Sequence, residues 1–206
     1  MDTLTIGVNV INALTPFLFS YILYDTYKEK KRRFYQYWFF AFHAYGISNI
    51  INAYMRLMET ETPTIVALIG VFAFLAFTGL LLGVGELTNR VRLYGILSLG
   101  VPVITAILYI AGKPLTAFSF FFMLPYVVLT IVLIIISFKY KTNLNLLILG
   151  WLFIVVANLG VATGLLNIFS SPIVALIGKV FIFYWMTRPY FSTFAEAFDE
   201  FIACDT

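Results

Sequence analysis

Seven apolar segments separated by short polar breaks make up most of this chain. They run from Leu4 to Tyr24, Phe34 to Met55, Thr64 to Glu86, Leu93 to Ala111, Leu115 to Phe138, Leu144 to Leu166 and Ser171 to Met186. A helix of about 20 apolar residues crosses the roughly 30 Å hydrocarbon core of a bilayer, and only helices and closed barrels satisfy their backbone there. The expected fold is all-α: an integral membrane bundle of seven transmembrane helices over residues 1–188, packed up and down, with the lipid bilayer as its first partner. Composition agrees, because 11% of the 206 residues are charged and mean hydropathy is +0.96, whereas soluble domains carry about 25% charged residues.

Basic residues orient the bundle. The first break holds Lys28, Lys30, Lys31, Arg32 and Arg33, the third Arg90 and Arg92, the fifth Lys139 and Lys141, and Arg188 follows the last span. The other side carries Arg56 and Lys113 with Glu59 and Glu61. The positive-inside rule then places the N-terminus outside and the C-terminus in the cytoplasm, in a multi-pass protein of the cell membrane. The net charge of +3 comes from these anchoring loops and gives no argument for nucleic acid as a partner. The opening residues, MDTLTIGVNV, lack a basic region and a small-residue cleavage site, so no signal peptide is expected. One cysteine, Cys204, allows no internal disulfide.

One polar residue breaks the pattern. Lys179 stands almost midway along Ser171–Arg188, roughly 12 Å from either end of that span. An ammonium group at that depth costs several kcal/mol on the lower scales, and a lysine stem does not easily reach the interface from the midplane. Such a residue is paired, neutralised or used. Asparagine, tyrosine or backbone oxygens could hold a structural lysine; a covalent aldehyde, an anion or an acidic lipid group could occupy a functional one.

Internal similarity adds a second constraint. IVALIG occurs twice, at Ile65–Gly70 and Ile173–Gly178, 108 residues apart. At a spacing of 109 residues Pro16 matches Pro125, and Asn49 matches Asn158. Coincidence within an apolar composition is one reading. The other is a parallel 3+1+3 plan, with repeats over 4–86 and 115–188 joined by a linker helix over 93–111. In the second copy Lys179 stands where the first has Val71.

Two families share this plan. The last span resembles that of the microbial (type 1) rhodopsins: a mid-helix lysine, then Val180, then Arg188 at the cytoplasmic boundary, with KKRRFY at the start of the second span. That resemblance implies retinal as a cofactor linked to Lys179 and Trp151 as an aromatic wall of its pocket. The chain departs from it at the counterion: Ala175 lies four residues before the lysine, and Gly70 and Val71 occupy the matching level of the third span. Without a mid-membrane carboxylate a proton pump is not expected. The PQ-loop and SWEET-type transporters are the second, more distant resemblance. Pro16 and Pro125 would be their hinge prolines, although Phe17 and Tyr126 follow in place of glutamine. Asn49 and Asn158 would line a solute path.

The remaining polar residues are read more plainly. His43, inside the second span, is expected to hydrogen-bond within the bundle, with a metal or proton-relay role as the alternative. Asn9, Asn12, Asn49, Asn52, Asn158 and Asn167 read as interhelical links before binding groups. Residues 189–206 place Phe191, Phe194, Phe198, Phe201 and Ile202 at helical spacing opposite Glu196, Asp199 and Glu200. That amphipathic tail either packs beneath the bundle or docks a cytoplasmic signalling partner. No catalytic constellation or metal cluster is legible, so an enzyme is not expected. The resulting expectation is a rhodopsin-like receptor or sensor; a small-solute transporter and a structural membrane subunit are the alternatives.

Overall fold

The computed structural model describes residues 3–58, 62–112, 114–140, 142–166 and 170–188, with 191, 194 and 196. These residues form seven α-helices and no strand: α1 (Thr3–Lys30), α2 (Arg33–Leu57), α3 (Pro63–Leu87), α4 (Val91–Ile110), α5 (Pro114–Lys139), α6 (Asn145–Ala162) and α7 (Ser170–Met186). Glu59, Glu61, Lys113, Lys141, Asn167 and most of the tail lie outside the described residues. Each helix coincides with one apolar segment, apart from its ends. Helix α1 continues past Tyr24 because YDTYKEK contains no breaker. It stops at Lys31, which takes a left-handed φ of 54° while its N–H closes on the Tyr27 carbonyl at 2.8 Å. Helix α3 opens on a Thr62 cap, whose hydroxyl accepts from Ile65 N–H at 3.3 Å, followed by Pro63.

Sequential helices pack side by side, α1 closes on α7, and α3 also touches α5. Small residues let neighbouring helices approach closely. Gly150 of α6 faces Gly178 of α7 so closely that a Cβ on either would lie 2.5–2.6 Å from the other's carbonyl oxygen. Close backbone approach of this kind brings helices together when lipid offers no hydrophobic drive between them.

Large apolar side chains face outward at helical spacing. They include Ile6, Val10, Leu14 and Leu18 on α1, Val71 and Leu75 on α3, Leu99, Val103 and Ile107 on α4, Ile131 and Ile135 on α5, Leu152, Val156 and Leu159 on α6, and Ile173, Ile177 and Val180 on α7. A soluble monomer rarely exposes contiguous apolar surface on this scale, so the pattern is compatible with a helical membrane protein. Among the described residues three helical stretches are long and apolar enough to cross a bilayer: Ile6–Lys30, Pro63–Leu87 and Val91–Leu108. Met123–Lys139, Asn145–Gly160 and Ser170–Met186 are apolar but shorter. Helix α2 has the length without the hydropathy, since Gln36, His43, Ser48, Asn49, Asn52 and Arg56 interrupt it.

The interior divides into two halves. Toward the end holding Lys30–Arg33, Arg90, Lys139 and Arg188 it is aromatic. Rings run from Tyr126 to Trp151 (6.0 Å between centroids), Phe42 (6.3 Å), Trp38 (6.1 Å), Trp185 (6.2 Å) and Phe191 (5.1 Å). Trp38 donates to the Leu80 carbonyl and Trp185 to that of Asn143, each at 3.1 Å, so two of the indoles are satisfied as well as packed. Toward the opposite end the interior is polar, and the candidate site lies there.

The described part of the tail belongs to the aromatic half. Phe191 and Phe194 are buried against Trp185, the Tyr35 hydroxyl donates to the Phe191 carbonyl at 3.0 Å, and Lys30 meets Glu196 at 3.2 Å. Packing beneath the bundle therefore holds for these residues. Phe191→Ala is expected to cost about 3 kcal/mol, the loss typical of a buried ring. Glu196→Gln is expected to cost less than about 1 kcal/mol, because its ion pair is solvated. Unfolding of both variants in one detergent would check the ranking.

Candidate functional site

A cavity of about 100 Å³ opens between α1, α2, α3, α5, α6 and α7 in the polar half. Five asparagines line it, Asn9 and Asn12 from α1, Asn49 and Asn52 from α2 and Asn158 from α6, with Ser48, Ser171, Tyr45 and Tyr126. Helical spacing explains the set: Tyr45, Ser48, Asn49 and Asn52 recur at three- and four-residue steps and share one face of α2. Asn9, Asn12, Ala13 and Pro16 do the same on α1. These faces turn inward because an unpaired amide facing hydrocarbon would be costly.

Lys179 lies behind the wall of this cavity, against Asn12 and Tyr45, which both line it. Its side chain is fully buried, and its Nζ donates to the main-chain carbonyl of Asn12 at 2.5 Å. Proline chemistry makes that carbonyl available. Asn12 would ordinarily accept from the N–H four residues on, but residue 16 is Pro16, inside α1, which has none. The amine thus fills the gap that the proline leaves. Nζ also stands 5.0 Å from the centroid of the Tyr45 ring, over its face. Both contacts are neutral. Among the described residues no Asp or Glu lines the cavity; Glu86 lies in the last turn of α3, within the aromatic half.

Some polar groups around the cavity are left unmatched. Asn12 Oδ1 and Asn49 Nδ2 are buried without a hydrogen bond. The Tyr45 hydroxyl faces Asn49 and Tyr126, but the Asn49 amide nitrogen closes no bond. Asn158 Nδ2 turns back to the Ile154 carbonyl at 2.7 Å. Ser48 and Ser171 donate to the Ile69 and Ala157 carbonyls, each at 3.2 Å, and so tie α2 to α3 and α7 to α6 at the rim.

The sequence candidates separate clearly. Asn49 and Asn158 come together in the cavity wall, although they lie on two helices, and Lys179 of a third helix lies behind that wall against Asn12 and Tyr45. Trp151 is adjacent, beneath Tyr45 and stacked on Tyr126, and its Nε1 has no hydrogen-bond partner. His43 does not join them. It is exposed on the outer side of the α1–α2 seam, edge-on to Phe17 at 5.0 Å with Nδ1 3.5 Å from Ser20 Oγ. Among the described residues no group of His, Cys, Asp or Glu could hold a metal ion. Tyr45, Ser48 and Ser171 were not singled out by the sequence; the three-and-four spacing of polar residues on α2 was the available signal for the first two.

Retinal, the cofactor implied by the rhodopsin resemblance, does not fit these residues. The Lys179 amine is already engaged by a carbonyl, and the space beside it is about 100 Å³, whereas pockets for molecules of that size run from about 300 Å³. Amides line that space, where a polyene calls for apolar walls. No protein-family model, curated protein or solved structure gives a match to this chain.

Proposed function

We propose that this chain is a seven-span membrane receptor or sensor that takes a small polar solute from the extracellular side. In this reading the basic loops lie in the cytoplasm, the N-terminus is outside, and the cavity is an outward-facing vestibule. One observation carries the proposal: the asparagine-lined space ends at Tyr45 and Tyr126, with Lys179 buried behind its wall, and buried Trp151, Phe42, Trp38 and Trp185 fill the bundle below it. A site open at one end and plugged at the other binds without conducting. The tail residues packed on Trp185 give that plug a direct connection to the cytoplasmic end.

A transporter is the second reading, favoured by Asn49 and Asn158, which stand 109 residues apart and face one cavity. Labelling separates the two. In a Cys204→Ser background, Asn52→Cys is expected to react with an impermeant maleimide added to intact cells and to be protected from the same reagent in inside-out vesicles. Reaction from both sides would favour transport. No reaction from outside would overturn the vestibule.

A further inference from the structure

We propose that the vestibule binds a small carboxylate and that Lys179 is its counter-charge. The inference rests on the solute-binding reading above and names the class of solute. A buried ammonium is stable when an anion and hydrogen-bond acceptors surround it, and among the described residues this one meets the Asn12 carbonyl and the face of Tyr45 but no carboxylate. An anion would compensate that charge, and the cavity, one residue layer away, is where it can arrive. Asn12 and Tyr45 form both the wall of the cavity and the immediate surroundings of Nζ. Ala175, one turn before Lys179, is also in the wall, and helical side chains lean toward the N-terminus of their helix, here the cavity end.

The other groups suit a two-oxygen acceptor. Asn49 Nδ2, on the α2 wall beside the Tyr45 hydroxyl, is a buried donor that closes no hydrogen bond. A carboxylate can take the ammonium on one oxygen and an amide N–H on the other, both as charge-assisted bonds. The volume matches a few heavy atoms: about 100 Å³ exceeds what one halide fills, a water molecule having a share of about 30 Å³. A space of this size suits a small acid better than an acyl chain. Binding draws Nζ off the Asn12 carbonyl, so the solute and the proline break of α1 compete for one amine.

The test uses the full chain in phosphatidylcholine nanodiscs, with sodium acetate as probe and acetamide and sodium chloride as controls at constant ionic strength. Thermal unfolding and tryptophan fluorescence are the readouts. Acetate is expected to raise Tm saturably, with acetamide and chloride giving no saturable change. Lys179→Met should weaken the acetate response by about tenfold to a hundredfold, the range of a charge-assisted hydrogen bond. An acetamide or chloride response equal to that of acetate overturns the carboxylate assignment while leaving the vestibule standing. So does an unchanged response in Lys179→Met. Absence of any saturable acetate response overturns it as well, and the maleimide experiment then reports separately on the vestibule. Should Lys179→Met fail to fold, the acetate–acetamide comparison on the unaltered protein decides.

Discussion

Lys179→Met is expected to make the protein more stable when no solute is added. Two effects oppose each other. Removing the amine leaves the Asn12 carbonyl, freed by Pro16, without its partner; an orphaned buried acceptor costs about 1–3 kcal/mol. The contact with Tyr45 is lost too, worth about 0.5–2 kcal/mol. Against these stands the desolvation of an ammonium group with no carboxylate beside it, several kcal/mol even after relaxation and more in hydrocarbon. Methionine keeps the length of the stem and removes that cost. The desolvation effect is the larger, so a net gain in stability is expected. Adding Pro16→Ala should recover part of the carbonyl loss, because residue 16 then supplies an N–H within α1. Both changes can be read from reversible unfolding in mixed micelles. A loss of more than about 1 kcal/mol in Lys179→Met would show that the lysine holds the bundle together, and a binding role would lose its main support.

Gly178→Val is expected to prevent assembly of the bundle, and Gly178→Ala to weaken it by about 1–3 kcal/mol, the usual cost of overpacking. The reason lies in what the added carbon meets. A Cβ at Gly178 stands 2.5 Å from the Gly150 carbonyl oxygen and 3.0 Å from Phe153 Cβ, and one at Gly150 stands 2.6 Å from the Gly178 carbonyl oxygen. Backbone cannot rotate away as a side-chain tip can, so α6 and α7 must separate. That separation would pull Lys179, one residue on, out of register with Asn12. Gly100→Ala is the control: it lies in α4, and nothing stands within 4 Å of the added carbon. Alanine there should be neutral or slightly stabilising, from the greater freedom that glycine loses in a helix. Size-exclusion profiles and melting temperatures of the three variants would check the order. Equal behaviour of Gly178→Ala and Gly100→Ala would mean that the α6–α7 contact is looser than described.

These two residues also show how much the sequence carries by itself. Hydropathy is a local property, so seven helical segments, their short connections and the odd position of Lys179 could be read residue by residue. The α7 boundaries follow almost directly, because Ser171 and Met186 bracket a run that is apolar apart from Lys179. Pairing of Pro16 with Asn12 was also implicit, since a proline always frees the carbonyl four residues earlier. What no local pattern contains is which group takes that carbonyl. Asn12 and Lys179 are 167 residues apart, and only closure of the helix ring, α1 against α7, brings them within a hydrogen bond. The same closure assembles Asn49 and Asn158 and leaves His43 outside, although all three are polar residues in apolar segments. It turns on which face of each helix meets a neighbour. That choice depends on backbone approach at pairs such as Gly150 and Gly178 and on where large rings such as Trp38 and Trp151 fill the interior. The sequence by itself determined that a lysine must be accommodated deep in an apolar helix. Only the tertiary structure decided that its surroundings are a carbonyl, a tyrosine face and a small amide-lined cavity, because those partners are contributed by other helices.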